Sequence, residues 1–170
     1  MLFNSLIFVA FLVVVFLLYW LTPTAQKGKN LILIFASGFF YAWWDWRFLG
    51  LLAITVVSTY ASGIIIGGTE NSRLKKWVCA GNLILNIGIL CLFKYYDFFA
   101  TNFVALLNLV GFNVDAITLN LILPIGISFY TFQALGYTID VYKNKIDAHR
   151  DFIAFTLFIT FFPQLLACRE

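Results

Sequence analysis

ISFYTFQALGYTIDVY, residues 127–142, is apolar enough for a membrane helix, yet it carries a serine, two threonines, three tyrosines, a glutamine and an aspartate. On a helix, at about 100° per residue, Gly126, Tyr130, Gln133, Tyr137 and Asp140 fall in one narrow stripe. Ser128, Thr131, Thr138 and Tyr142 form a second polar stripe on the opposite side, leaving Phe129, Phe132 and Ile139 as an apolar flank. Turning both stripes toward hydrocarbon would cost about 1–3 kcal/mol for each unpaired group. The sequence therefore predicts a helix surrounded by other helices or by a wet cavity. Two uses for its polarity follow. One is hydrogen bonding between helices, with Gly126 and Gly136 permitting close approach, the commoner case in bundles. The other is a substrate path lined by Tyr130, Gln133 and Tyr137.

Composition agrees with a membrane setting. Hydrophobic residues make up 62% of the 170 and charged residues 11%, against about a quarter charged in an ordinary soluble domain; the mean hydropathy is +0.93. Phe (20), Tyr (8) and Trp (5) are abundant, as expected where aromatic rings serve as lipid-facing bulk and headgroup anchors. The net charge of +3 sits in loops, so it reports orientation and gives no sign of nucleic-acid binding. Cys79, Cys91 and Cys168 have no metal-like spacing and read as small hydrophobes. The run from Leu6 to Leu21 lacks the basic start and cleavage site of a signal peptide and reads as a retained span.

Charges divide the chain into candidate spans at 3–21, 31–44, 48–66, 77–93, 119–139 and 152–167. The expected fold is all-α: a single polytopic membrane domain over 1–170 of about six spans, with no soluble domain. Lys27 and Lys29, then Arg73, Lys75 and Lys76, then Lys143, Lys145 and Arg150 fall in three loops that belong on the cytoplasmic side. If the last two loops share a side, 98–112 cannot also cross, and it is expected to be a re-entrant or interfacial helix. A further full crossing there, with the later topology reversed, is the alternative. Pro124 predicts a helix start or kink.

Few residues suggest catalysis. The one histidine, His149 in KIDAHRD, reads as a solvated loop residue, and no metalloprotease, nucleophile-elbow, phosphate-loop or CxxC pattern is present. Asp45, Arg47, Lys94 and Asp97 lie at span ends, where charged side chains reach water. No catalytic residue and no metal ligand is expected in this chain.

LPIGISFYTFQALGYTIDVYK (123–143) and FFPQLLA (161–167), preceded by FFYAWWDWRFL (39–49) and FKYYDFF (93–99), resemble the membrane-bound O-acyltransferase family, most closely its bacterial alginate O-acetyltransferase-like branch. The resemblance covers nearly the whole chain as the N-terminal portion of such an enzyme. It implies a multi-pass protein of the bacterial inner membrane that transfers an acetyl group from a cytoplasmic donor to hydroxyls of an exported polysaccharide such as alginate. Acetyl-CoA or an acyl carrier would be the donor, with no bound cofactor. Membrane lipids, the polysaccharide acceptor and other acetylation or export proteins are the implied partners. In the family the catalytic histidine belongs to a later segment, and His149 does not match it; the end Cys168-Arg169-Glu170 also departs from the family's Gly-Pro continuation. The chain alone is thus expected to be inactive. Transfer of D-alanine to teichoic acid, and a non-catalytic scaffold or transport subunit, are the alternatives.

Overall fold

The computed structural model describes residues 6–23, 25–44, 46–109 and 126–161. Within them every regular element is an α-helix: α1 (Leu6–Leu21), α2 (Gln26–Trp44), α3 (Arg47–Gly68), α4 (Ser72–Leu109), α5 (Ile127–Tyr142) and α6 (Phe152–Thr160). Residues 48–68 of α3 and 72–95 of α4 are long and apolar enough to cross a membrane, and they contain the expected spans 48–66 and 77–93. The expected spans 119–139 and 152–167 lie partly outside the described residues, as does Pro124.

α5 sits mainly against α3 and α4, while α2 packs on α1 and α6. The principal core draws Leu52 and Val56 from α3, Ile127, Tyr130 and Ala134 from α5, and Phe155 and Ile159 from α6. Both polar stripes of α5 contribute to this interior. Tyr130 and Thr138 are 0% exposed and Thr131 1%, whereas Phe132 on the apolar flank is 63% exposed. The helix is thus surrounded on its polar sides, as the stripes require.

Local chemistry sets several helix ends. Asn71 Oδ1 accepts the Arg73 N–H at 3.1 Å ahead of α4, and Asp151 Oδ1 accepts the N–H groups of Ile153 (3.0 Å) and Ala154 (3.3 Å) at the start of α6. Each satisfies donors that the first helical turn leaves unpaired. Gly126, at φ 75°, turns the chain into α5 through a left-handed conformation that suits glycine. The other end of α5 closes in a Schellman arrangement: the Lys145 N–H donates to the Asp140 carbonyl (2.9 Å) and the Asn144 N–H to that of Val141 (3.0 Å). Asn144 takes the left-handed position with φ 53°. Asn144→Val should therefore cost about 1–2 kcal/mol in detergent unfolding while Asn144→Gly is close to neutral; equal costs would contradict the assignment.

One expectation is corrected. Residues 98–109 do not begin a separate re-entrant or interfacial helix, because α4 runs unbroken for 38 residues from Ser72 to Leu109; 110–112 lie outside the described residues. At about 1.5 Å per residue α4 is about 57 Å long, well beyond a hydrocarbon core of about 30 Å. The charged FKYYDFF stretch ends the apolar run without ending the helix, since Lys, Tyr and Phe all continue a helix and no proline intervenes. For the same reason α2 begins at Gln26, inside the polar QKGKN segment expected to be loop.

Candidate functional site

The polar residues of α5 serve three different neighbourhoods. The first lies against α4, where Asn82 Nδ2 donates to Thr138 Oγ1 at 2.8 Å and Thr138 Oγ1 donates to the Ala134 carbonyl at 3.0 Å. One turn along α4, Asn86 Nδ2 donates to the Asn82 carbonyl (2.9 Å) and to Asn82 Oδ1 (3.0 Å). Asn82 is 4% and Asn86 0% exposed, so this chain of amides and hydroxyl is a buried pin between α4 and α5.

The second neighbourhood fastens the 143–151 loop. Tyr137 Oη accepts the His149 N–H at 3.0 Å, and Tyr60 Oη donates to the Arg150 carbonyl at 2.8 Å. The Tyr137 ring lies 4.8 Å, centroid to centroid, from that of Phe155. α3 offers glycine where this layer presses closest: a Cβ at Gly63 would stand 2.8 Å from Tyr137 Cε1, and one at Gly67 would stand 2.7 Å from Ala148 Cβ. Lys75 Nζ also donates to Asn144 Oδ1 at 3.5 Å. Arg73, Lys75 and Lys76, expected in a loop, form the first turns of α4 instead, and this basic helix start meets the basic 143–151 loop.

The third neighbourhood is unfinished. Gln133 Nε2 donates to the Phe158 carbonyl of α6 at 2.9 Å, but Gln133 Oε1 has no partner. One turn before it, Tyr130 is fully buried and its hydroxyl is likewise unpartnered. Tyr41 of α2 is 5% exposed and belongs to the same buried core as Tyr130. Asn86 Oδ1 and Thr59 Oγ1 are also buried without partners. Orphaned buried polar atoms cost about 1–3 kcal/mol each and call for an explanation. Here two lie on α5 and one each on α3 and α4, the helices packed against it.

The residues expected to line one path are thus divided. Tyr130 and Gln133 keep unpartnered atoms in the interior, while the hydroxyl of Tyr137 is engaged by the loop. His149 is exposed and contributes its backbone N–H. Among the described residues no three His, Cys, Asp or Glu side chains converge as a metal site. Cys79 is buried, whereas Cys91 is exposed on α4. Sequence reasoning missed Asn82 and Asn86, although two asparagines four residues apart inside GNLILNIG carry the same signal as the stripes of α5. It also missed Gly63-x-x-x-Gly67, whose spacing marks a close helix contact.

Among the described residues the chain is a strongly apolar, all-helical bundle around a buried polar helix, with two helices long and apolar enough to cross a membrane. Comparison with known proteins narrows the class. The chain is 37% identical over 170 residues to a probable alginate O-acetylase of Azotobacter vinelandii, covering 98% of this chain and 33% of that protein. It is 36% identical to a probable alginate O-acetylase of Pseudomonas aeruginosa, with coverages of 98% and 32%. A peptidoglycan O-acetyltransferase of Helicobacter pylori is 37% identical over 196 residues, with coverages of 98% and 36%. No family model and no solved structure matches. The chain is thus similar along 98% of its length to bacterial O-acetylases of the membrane-bound O-acyltransferase type, as the motif resemblance implied. It spans about a third of the length of the curated relatives it matches.

Proposed function

We propose that this chain forms part of the membrane domain of an O-acetyltransferase that acetylates hydroxyls of an exported polysaccharide. The proposed setting is the bacterial inner membrane, with about six spans and the basic start of α4 and the basic 143–151 loop facing the cytoplasm. In the reaction a thioester donor, acetyl-CoA or an acyl carrier, gives up its acetyl group. A new ester forms on the acceptor oxygen, and the hydroxyl proton ends on the released thiol. The observation that carries the reading is the pair of unpartnered polar atoms on successive turns of α5, the Tyr130 hydroxyl and Gln133 Oε1. A donor and an acceptor kept without partners in an apolar interior suit an acyl group or a hydroxyl that passes transiently. Their similarity to O-acetylases over 98% of the chain supports the same reading. Tyr137 borders this region and ties it to the cytoplasmic loop. Since His149 is an exposed loop residue, we give it no part in proton transfer.

The test replaces the matching third of the Azotobacter vinelandii protein with this chain and measures ester-linked acetate on the exported alginate. Acetylation at a substantial fraction of the parental level is the expected result. A chimera that accumulates in the membrane, keeps the helix content of the parent and leaves the polymer unacetylated would contradict it. Within an active chimera, Gln133→Leu should lower acetylation about tenfold, the factor that corresponds to about 1.4 kcal/mol of lost interaction with the passing group.

A further inference from the structure

α1 and α2 enclose a feature that the acetyl-transfer reading leaves unused. A cavity of about 370 Å³ with an almost wholly apolar lining opens along α1, walled by Leu12, Val13 and Phe16 with Leu33 of α2 and Phe161 just after α6, and it reaches Tyr19 and Trp20 near the end of α1. Its volume is that of a small-molecule site, and its walls are open to the surroundings: Val13 is 49% and Phe16 61% exposed. The polar end is positively charged. Lys29 Nζ stands 5.2 Å from the Tyr19 ring centroid, Lys27 lies in the first turn of the 19-residue α2, and the N-terminus of that helix adds its own partial positive charge. No aspartate or glutamate precedes Asp45 in the sequence to offset them.

We infer that this groove holds an anionic phospholipid, with an acyl chain against Leu12, Val13, Phe16 and Leu33 and its phosphate beside Lys27 and Lys29. Apolar walls alone would accept any lipid tail. The uncompensated cations at one end, next to two aromatic rings of the kind that settle at headgroup level, supply the selection for negative charge. A second copy of the chain or another polypeptide segment would have to bring a long apolar surface that also ends in a negative charge.

The test uses membranes carrying the full protein, fused with vesicles of diazirine-tailed phosphatidylglycerol or of diazirine-tailed phosphatidylcholine. After irradiation the adducts are mapped by peptide mass spectrometry. Phosphatidylglycerol adducts should concentrate on residues 12–16 and exceed the phosphatidylcholine adducts there. Lys27→Gln and Lys29→Gln should each reduce that excess about fivefold. Val13→Trp, which fills the groove from an exposed position, should remove the adducts from residues 12–16 while labelling elsewhere persists. Equal labelling by the two lipids overturns the proposal. So does the absence of adducts on residues 12–16 with either lipid, the outcome expected if protein fills the groove.

Discussion

Gly63→Val should lower stability by about 3 kcal/mol in detergent unfolding and should make the 143–151 loop sensitive to proteolysis. A Cβ at position 63 already stands 2.8 Å from Tyr137 Cε1 and 2.9 Å from Tyr137 Oη, and valine adds two methyl groups beyond it. The ring has no simple retreat, since Phe155 lies on it at 4.8 Å and its hydroxyl holds the His149 N–H. The strain must move α3 from α5 or displace the ring from the loop. Overpacking of this kind costs about 1–3 kcal/mol, and loss of the loop's hydrogen bond places the expected value at the upper end. Tyr137→Phe separates the two effects. It should cost about 1 kcal/mol and loosen the loop without parting the helices, so protease sensitivity should rise with little change in melting. If Gly63→Val leaves both stability and loop cleavage unaltered, Tyr137 is not the clamp.

Asn82→Leu carries the second large effect, a loss of about 2 kcal/mol. The substitution removes the donor to Thr138 Oγ1 and the Oδ1 acceptor of Asn86 Nδ2, both in a region less than 5% exposed. Each lost bond contributes about 1 kcal/mol. A double-mutant cycle with Thr138→Val isolates the link between α4 and α5, and its coupling energy should be about 1 kcal/mol. Hydrogen bonds between helices in lipid commonly fall at or below that value, because the separated helices find other partners. A coupling near zero would show that Asn82 and Thr138 stabilise their helices independently.

These two contacts illustrate how far the sequence carried the fold. The stripes of ISFYTFQALGYTIDVY required an enclosed helix, and Tyr130, Thr131 and Thr138 are enclosed. Which element encloses each residue was not legible, since that depends on α3, α4 and α6 meeting α5 from different directions. The glycines of α3 show the same limit: their spacing is visible, but the Tyr137 ring and Ala148 that fill the space come from about 70 to 80 residues away in the chain. Charge misled at FKYYDFF and QKGKN, because a charged side chain marks where an apolar surface ends and does not mark where a helix ends. For the site, sequence grouping set Tyr130, Gln133 and Tyr137 in one line. Only the three-dimensional partners distinguish an engaged hydroxyl at Tyr137 from an unpartnered one at Tyr130.

That distinction gives the account its most direct test. The Tyr130 hydroxyl makes no hydrogen bond in the folded chain although the residue is 0% exposed, so its burial opposes folding, and it is retained, in our reading, because a passing acyl or hydroxyl group uses it. Tyr130→Phe in the alginate O-acetylase chimera should therefore be at least as stable as its parent in detergent unfolding. In the same protein, ester-linked acetate on the exported polymer should fall about tenfold. Unchanged acetylation in a Tyr130→Phe protein of undiminished stability would contradict the claim that this face of α5 lines the acyl path.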